Sequence, residues 1–256
     1  MSNVDAITIL KENTCTPQPT YISSLKATSI YTLDRNLGGG LPAGSMIYFS
    51  ADAHSMAEVF LYQFTQSRKT YYVATQRRPK YIMRDIKSYN FDTSQITFID
   101  VYSQYYLTPQ GDMVDNVGNE YVDNQIFEFI ELNLQTILDN SIGQDINIII
   151  DTFSFFMELN VNPGQLKKLV NIIYETTKEV DALTFLYAMK DTHDKTKEND
   201  LANSCDVVFD VELEKGADKI ASKLSIPKIR GKVGSPDVVK FKIGEGIMID
   251  TSQDIA

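Results

Sequence analysis

The chain has 256 residues, 43% hydrophobic and 23% charged, which is ordinary for a globular protein and enough for one large α/β core. No apolar stretch approaches the roughly 18 residues of a membrane span, and residues 1–14 lack the basic start and long apolar run of a signal peptide, so a cytoplasmic location is expected. The net charge of −10 argues against a general nucleic-acid surface, because a duplex binder draws most of its affinity from Lys and Arg on phosphates.

Residues 1–20 read as an N-terminal arm ending in the turn-prone Thr16-Pro17-Gln18-Pro19, and residues 21–256 as one domain. After the glycine-rich run Gly38-Gly39-Gly40-Leu41-Pro42-Ala43-Gly44, Met46–Phe49 predicts a buried strand and Ala57–Ser67 a helix with Val59, Phe60 and Phe64 inward. Strands and helices then alternate. Strands are expected at Tyr71–Ala74, Ile96–Ile99, Asn147–Ile150 and Leu183–Tyr187, and helices at Lys80–Tyr89, Asp123–Leu138 and Gln165–Val180. The near-continuous apolar character of residues 147–150 is that of a strand covered on both faces. Such alternation implies βαβ crossovers and a mostly parallel sheet flanked by helices. Gln104–Val122 is a long polar loop, a length that is usually functional or mobile. The last fifty residues differ: Val207–Leu213, Lys219–Pro227, Val238–Ile243 and Gly246–Asp250 are β segments with no helix between them, so a C-terminal antiparallel extension is expected. Residues 212–242 hold eight cations (Lys215, Lys219, Lys223, Lys228, Arg230, Lys232, Lys240, Lys242) against four acids (Glu212, Glu214, Asp218, Asp237). That segment is either a solvated face or an interaction surface.

Cys15 and Cys205 are far apart and His54 and His193 are isolated, so neither a disulfide framework nor a metal site is expected.

Three stretches together resemble the KaiC-like branch of the RecA superfamily, RadA-like proteins included, and point to an archaeal type. Thr32–Ser45 is similar to that family's glycine-rich leader. The apolar strand ending in Asp151, followed by Thr152 and Ser154, resembles its Walker B strand. Pro227-Lys228-Ile229-Arg230-Gly231 and the later Phe241-Lys242-Ile243-Gly244-Glu245-Gly246-Ile247 resemble its C-terminal Lys-x-Arg-Gly hairpin and closing Gly-Ile strand. The resemblance spans nearly the whole chain. It implies a RecA-like α/β fold of the P-loop NTPase type and, in the family, an ATP–Mg²⁺ site.

The family follows its first core strand with a phosphate loop, Gly-x-x-x-x-Gly-Lys-Thr. With Gln63-Phe64 fixing the register, Ala51 and Met56 stand in the two glycine positions, Ala57 in the lysine position and Glu58 in the threonine position. Ala51 and Met56 restrict a backbone that glycine leaves free to cradle phosphate. Ala57 removes the cation, Glu58 replaces the metal-binding hydroxyl, and Asp52 with Glu58 brings negative charge where a phosphate would sit. The family's water-activating Glu pair corresponds to Gln76 and Arg77, neither of which can take a proton from water at neutral pH. Asp151 is kept. Lys228 and Arg230 match residues that in the family reach a neighbouring subunit's nucleotide. They are expected at an interface, where a protein partner's carboxylates or a second copy would supply the anion, or else they are surface charge on a hairpin.

The expectation is a non-catalytic RecA-like protein, a pseudo-ATPase without cofactor or metal, acting as a regulator or scaffold through a protein partner or as a homo-oligomer. Two alternatives stay open. One is a nucleotide-binding protein that holds ATP and Mg²⁺ in a non-standard way. The other is a RadA-paralogue-like accessory protein in DNA metabolism that uses the basic segment.

Overall fold

Ser45–Ala51 carries seven consecutive buried residues, so it needs cover on both faces, and the rest of the chain is arranged to supply it. The structure is a computed structural model and describes residues 24–215, 220–231 and 238–250. The expected arm over residues 1–20, Cys15, and Asp218, Lys219, Lys232 and Asp237 of the basic segment lie outside the described residues.

In chain order the elements are β1 (Leu25–Lys26), α1 (Tyr31–Asn36), β2 (Leu41–Pro42), β3 (Ser45–Ala51), α2 (Glu58–Phe64), β4 (Lys69–Ala74), α3 (Pro79–Ser88), β5 (Ile96–Asp100), α4 (Val101–Tyr106) and α5 (Glu120–Ser141). They continue with β6 (Ile146–Asp151), α6 (Ser154–Glu158), α7 (Pro163–Glu179), β7 (Leu183–Met189), α8 (Lys195–Ser204), β8 (Val207–Lys215), β9 (Ile220–Ile229), β10 (Val238–Ile243) and β11 (Ile247–Asp250). β1 and β2 form a small antiparallel pair under the glycine-rich leader. There Gly40 has φ +128°, and a Cβ on it would stand 2.1 Å from the Lys26 carbonyl oxygen, so only glycine fits.

Among the described residues the main sheet has nine strands, in the order β11-β10-β9-β8-β3-β7-β6-β4-β5. The six from β8 to β5 are parallel, and β9, β10 and β11 continue the sheet antiparallel. This is the α/β architecture expected, with one correction. Val207–Lys215 does not begin the antiparallel extension but lies parallel to β3, and a helix, α8, precedes it. α8 escapes periodicity because it buries only Leu201; what marks it in the sequence is Asp194, whose carboxylate caps the Thr196 amide at 2.8 Å. The long polar stretch is likewise shortened at both ends, by α4 and by the start of α5.

Alternation along the strands splits the core in two. Ile47, Phe49, Ala51, Tyr72, Phe185, Tyr187 and Phe209 face α1, α2 and α3. Met46, Tyr48, Val73, Ile148, Ile150 and Leu186 face the layer of α4 to α8. Phe49 lies edge-on to Phe60, Tyr187 and Phe209 at centroid distances of 5.6, 5.6 and 5.7 Å, which fixes α2 over the strand that leads into the loop.

Candidate functional site

The carboxyl ends of β3, β4, β6 and β7 meet at one edge of the sheet, the place where open α/β sheets bind ligands. The loop from β3 to α2 runs from Asp52 to Ala57. It is closed largely by Asp52: its carboxylate accepts the His54 amide at 2.8 Å, and its carbonyl accepts the Ser55 amide at 3.0 Å and the Ser55 hydroxyl at 2.6 Å. The Asp52 amide donates to the Val211 carbonyl at 3.0 Å. Thus the amides of Asp52, His54 and Ser55 already have acceptors in the chain. Met56 sits at φ +52°, a left-handed conformation that favours glycine, with its side chain 51% exposed. Ala57 is buried, and Glu58 opens α2 as its first residue.

Asp151 ends β6 beside Ala74 of β4 and Tyr187 of β7. The Tyr72 hydroxyl donates to its Oδ2 at 2.7 Å, and the Arg77 guanidinium lies 3.7 Å from the same oxygen. Arg77 also donates to the Tyr62 hydroxyl of α2 at 2.7 Å and to Asp85 of α3 at 2.9 Å. Local chemistry puts it there. The residue before a proline is driven to extended backbone, and Pro79 is the first residue of α3, so Arg78 is extended and turns the chain just past Arg77. The Thr75 hydroxyl fixes the turn against β6: it accepts the Thr152 amide at 2.7 Å and donates to the Thr152 carbonyl at 3.1 Å. Gln76 is exposed, and the residue beside it, Arg77, is the one turned inward.

Burial pushes the Asp151 carboxyl above its ordinary range. The Tyr72 hydrogen bond and the Arg77 charge act against that rise, and the Glu58 charge adds to it. Burial, with the Asp151 charge, also pushes Tyr72 well up, so it remains a phenol that donates. Tyr62 is raised by burial against the pull of Arg77, and Tyr187 by burial and the Glu58 and Asp151 charges. Burial opposes the charge on Arg77, but Tyr62 and Asp151 outweigh it and the guanidinium is held cationic. A second cation, Lys190, stands at the end of β7. Its amide donates to the Ala51 carbonyl at 2.9 Å, and its ammonium binds both Asp210 oxygens at 2.8 and 3.0 Å and also Glu212.

The residues singled out in the sequence fall in two places. The loop 51–58, Gln76, Arg77 and Asp151 share the sheet edge. Lys228 and Arg230 do not: Val208 and Val207 of β8 pair with Lys228 and Ile229, at the opposite end of that strand from Val211 and the loop. The Lys228 ammonium donates to the Ala202 and Asn203 carbonyls at 2.9 and 3.0 Å, and Arg230 to Asn203 and Cys205 at 3.2 and 3.3 Å. Arg230 is also 3.2 Å from Asp206, which Lys178 holds at 2.7 Å. Within this chain both cations are therefore occupied at the C-terminal end of α8. Sequence reasoning did not single out Tyr62, Tyr72, Asp85 or Lys190. The signal available was a tyrosine within an otherwise apolar strand or helix, since a buried phenol needs a polar partner.

Among the described residues, no three His, Cys, Asp or Glu side chains are grouped to hold a metal ion. The His193 ring nitrogen Nε2 lies 2.8 Å from the Ser154 hydroxyl, and Cys205 is a buried free thiol. No described helix is long and apolar enough to cross a membrane. An apolar groove of about 500 Å³ lies elsewhere, between α6, α7 and α8, lined by Phe153, Phe156, Leu159, Leu166 and Leu201.

Residues 25–256 match the model of a family described as a family of unknown function (DUF7125). Among solved structures, a KaiC-like protein from the hyperthermophilic archaeon Pyrococcus horikoshii superposes with a TM-score of 0.65 at 15% identity, over 89% of this chain and 99% of that one. That likeness is one of fold, the RecA-like fold of KaiC-like proteins. A comparison with curated proteins gave no match.

Proposed function

We propose that this chain, which belongs to the family of unknown function DUF7125, is a RecA-like domain that has lost nucleotide hydrolysis and works through contacts with other protein, as a regulator or scaffold. The observation that carries this reading is the engagement of Asp151. Where a RecA-like ATPase would use such a carboxylate toward a metal-bound nucleotide, here it takes a hydrogen bond from Tyr72 and faces the Arg77 guanidinium.

The loop supports the same reading. On the register given by Gln63-Phe64 it is a degenerate phosphate loop, with Ala57 in place of the phosphate-binding cation and Glu58 in place of the metal-binding hydroxyl. Three of its amides are already spent on Asp52 and Val211. Lys190, whose amide bonds the Ala51 carbonyl at the loop's start, has its ammonium matched by Asp210 and Glu212. A magnesium–nucleotide group would meet Asp52 and Glu58 rather than a lysine and a hydroxyl, so the residues present do not fit it. Binding energy for a phosphoryl transition state comes from positioned cations and donors, and this edge offers few that are free.

The test is phosphate release from ATP with Mg²⁺ by the purified chain. The expected result is no release above the protein-free control. Turnover that scales with protein and is lost in Asp151→Asn would overturn the proposal.

A further inference from the structure

The charges of this chain are sorted along its length. Residues 77–87 hold five cations (Arg77, Arg78, Lys80, Arg84, Lys87) and one acid, Asp85. From residue 91 to residue 166 there are twelve Asp and Glu and no Lys or Arg. The fold places one helix of each block, α3 and α5, on opposite faces of the sheet. α3 packs with Ile82 and Ile86 into the core on the α2 side, and α5 packs with Ile126, Phe127 and Ile130 into the core on the other.

Each helix turns an uncovered face outward. On α3, Lys80, Arg84 and Lys87 recur at helical spacing and are exposed, with Tyr81 43% exposed among them. Lys80 and Arg84 both lie over the Tyr81 ring, at 4.9 and 5.7 Å; Arg84 also reaches Asp85 at 3.3 Å, where Arg77 is the shorter contact at 2.9 Å. On α5, Tyr121, Gln125, Glu128, Leu132, Gln135 and Asp139 form one exposed stripe. Tyr121 is 73% and Leu132 68% exposed, a large apolar presence on a solvent face. The nearby cation Lys168 of α7 is matched at 2.7 Å by Glu131, which lies beside this stripe rather than on it.

One face is cationic with an aromatic among its charges, and the other carries two carboxylates, Glu128 and Asp139, with Leu132 between them and Tyr121 beyond. We propose that they are complementary docking surfaces, and that the outer face of α3 in one copy of this chain binds the outer face of α5 in a second copy. The partner is a second copy because the chain itself carries the acidic surface that the α3 face fits. The two patches differ, so the contact is heterologous and builds a ring or an open chain rather than a closed two-fold dimer. Opposite charge sets partner choice and register, and Tyr81, Tyr121 and Leu132 supply the apolar contact. None of these residues belongs to the Asp151 cluster, so the proposal stands or falls apart from the one above: that one is read by ATP turnover, this one by assembly.

The experiment is sedimentation of four samples of the full chain at low salt and at about 0.5 M salt, where charges are screened within a few ångström. They are the wild type, a variant with Lys80→Glu, Arg84→Glu and Lys87→Glu, a variant with Glu128→Lys and Asp139→Lys, and an equal mixture of the two variants. Circular dichroism first establishes that both variants are folded, as expected for changes at exposed positions. The wild type should assemble at low salt and dissociate at high salt. Each variant alone should associate about tenfold or more weakly, and the mixture should assemble, because each reversed face then meets its complement. A wild type that is monomeric at low salt, or variants that assemble like it, would overturn the proposal. So would a monomeric wild type that binds a single-stranded oligonucleotide through the α3 cations, since the face would then serve nucleic acid.

Discussion

Arg77 reaches three partners at once, Tyr62 on α2, Asp85 on α3 and Asp151 on β6, and so ties together the elements around the sheet edge. Asp151 is the costly member. Its carboxyl is raised by burial, so the folded chain holds that proton more tightly than the unfolded chain does. A raised carboxyl stabilises the fold fully below its unfolded value of about 4, and the benefit is lost as pH rises through the folded value. Once ionised, the group is therefore a burden that Tyr72 and Arg77 only offset. Asp151→Asn keeps an acceptor for Tyr72 and removes the charge. It should melt at or above wild type at pH 7, with the gap closing as pH falls toward about 4. Thermal melts across pH check this; a variant less stable than wild type by the same margin at both ends would contradict it. Arg77→Ala should cost about 1–2 kcal/mol in denaturant unfolding. That is less than for a fully buried pair, because the Arg77 side chain is 39% exposed. The loss should shrink in the Asp151→Asn background, as a double-mutant cycle would measure, and equal losses in both backgrounds would mean that the two groups do not interact. The residue types at 51–58, 76, 77 and 151 were legible in the sequence. That Arg77 would turn inward was not, because its partners Tyr62, Asp85 and Asp151 come from other elements and carry no spacing signal relative to it.

At the scale of elements, α8 shows how a helix can lack a sequence signal and how Lys228 and Arg230 can read as uncommitted cations. Its sequence, with a single buried residue, has no apolar stripe for periodicity to find. Without α8, Lys228 and Arg230 read as a free pair on a strand. With it, they meet the carbonyls of Ala202, Asn203 and Cys205 at its C-terminal end, where cations also favour the helix dipole. Burial and the neighbouring Arg230 charge push the Lys228 ammonium below its ordinary value, so the position is partly desolvated. The double change Lys228→Ala and Arg230→Ala should lower stability by about 1 kcal/mol and speed amide hydrogen exchange in α8. Exchange unchanged in α8, with a loss of self-association instead, would return the pair to the role of an intermolecular contact.

For the whole molecule, the alternation of apolar strands with helices was enough to give a mostly parallel, helix-flanked sheet, because strands such as β6 bury every residue and cannot be edges. Strand order was not legible: periodicity says which face of a strand is apolar, not which neighbour it takes, and β8 lies beside β3 although they are far apart in sequence. The resemblance carried by the leader, the Asp151 strand and the closing hairpin agrees with the fold likeness to a KaiC-like protein. It leaves activity to the chemistry of the sheet edge. That edge is where the account is most exposed. Calorimetric titration of the purified chain with ATP and Mg²⁺ measures it directly. The account predicts no saturable heat at nucleotide concentrations below about 1 mM, since Tyr72 and Arg77 hold Asp151 and, on the proposed register, Ala57 stands where a phosphate-binding lysine would. A dissociation constant in the micromolar range would contradict it.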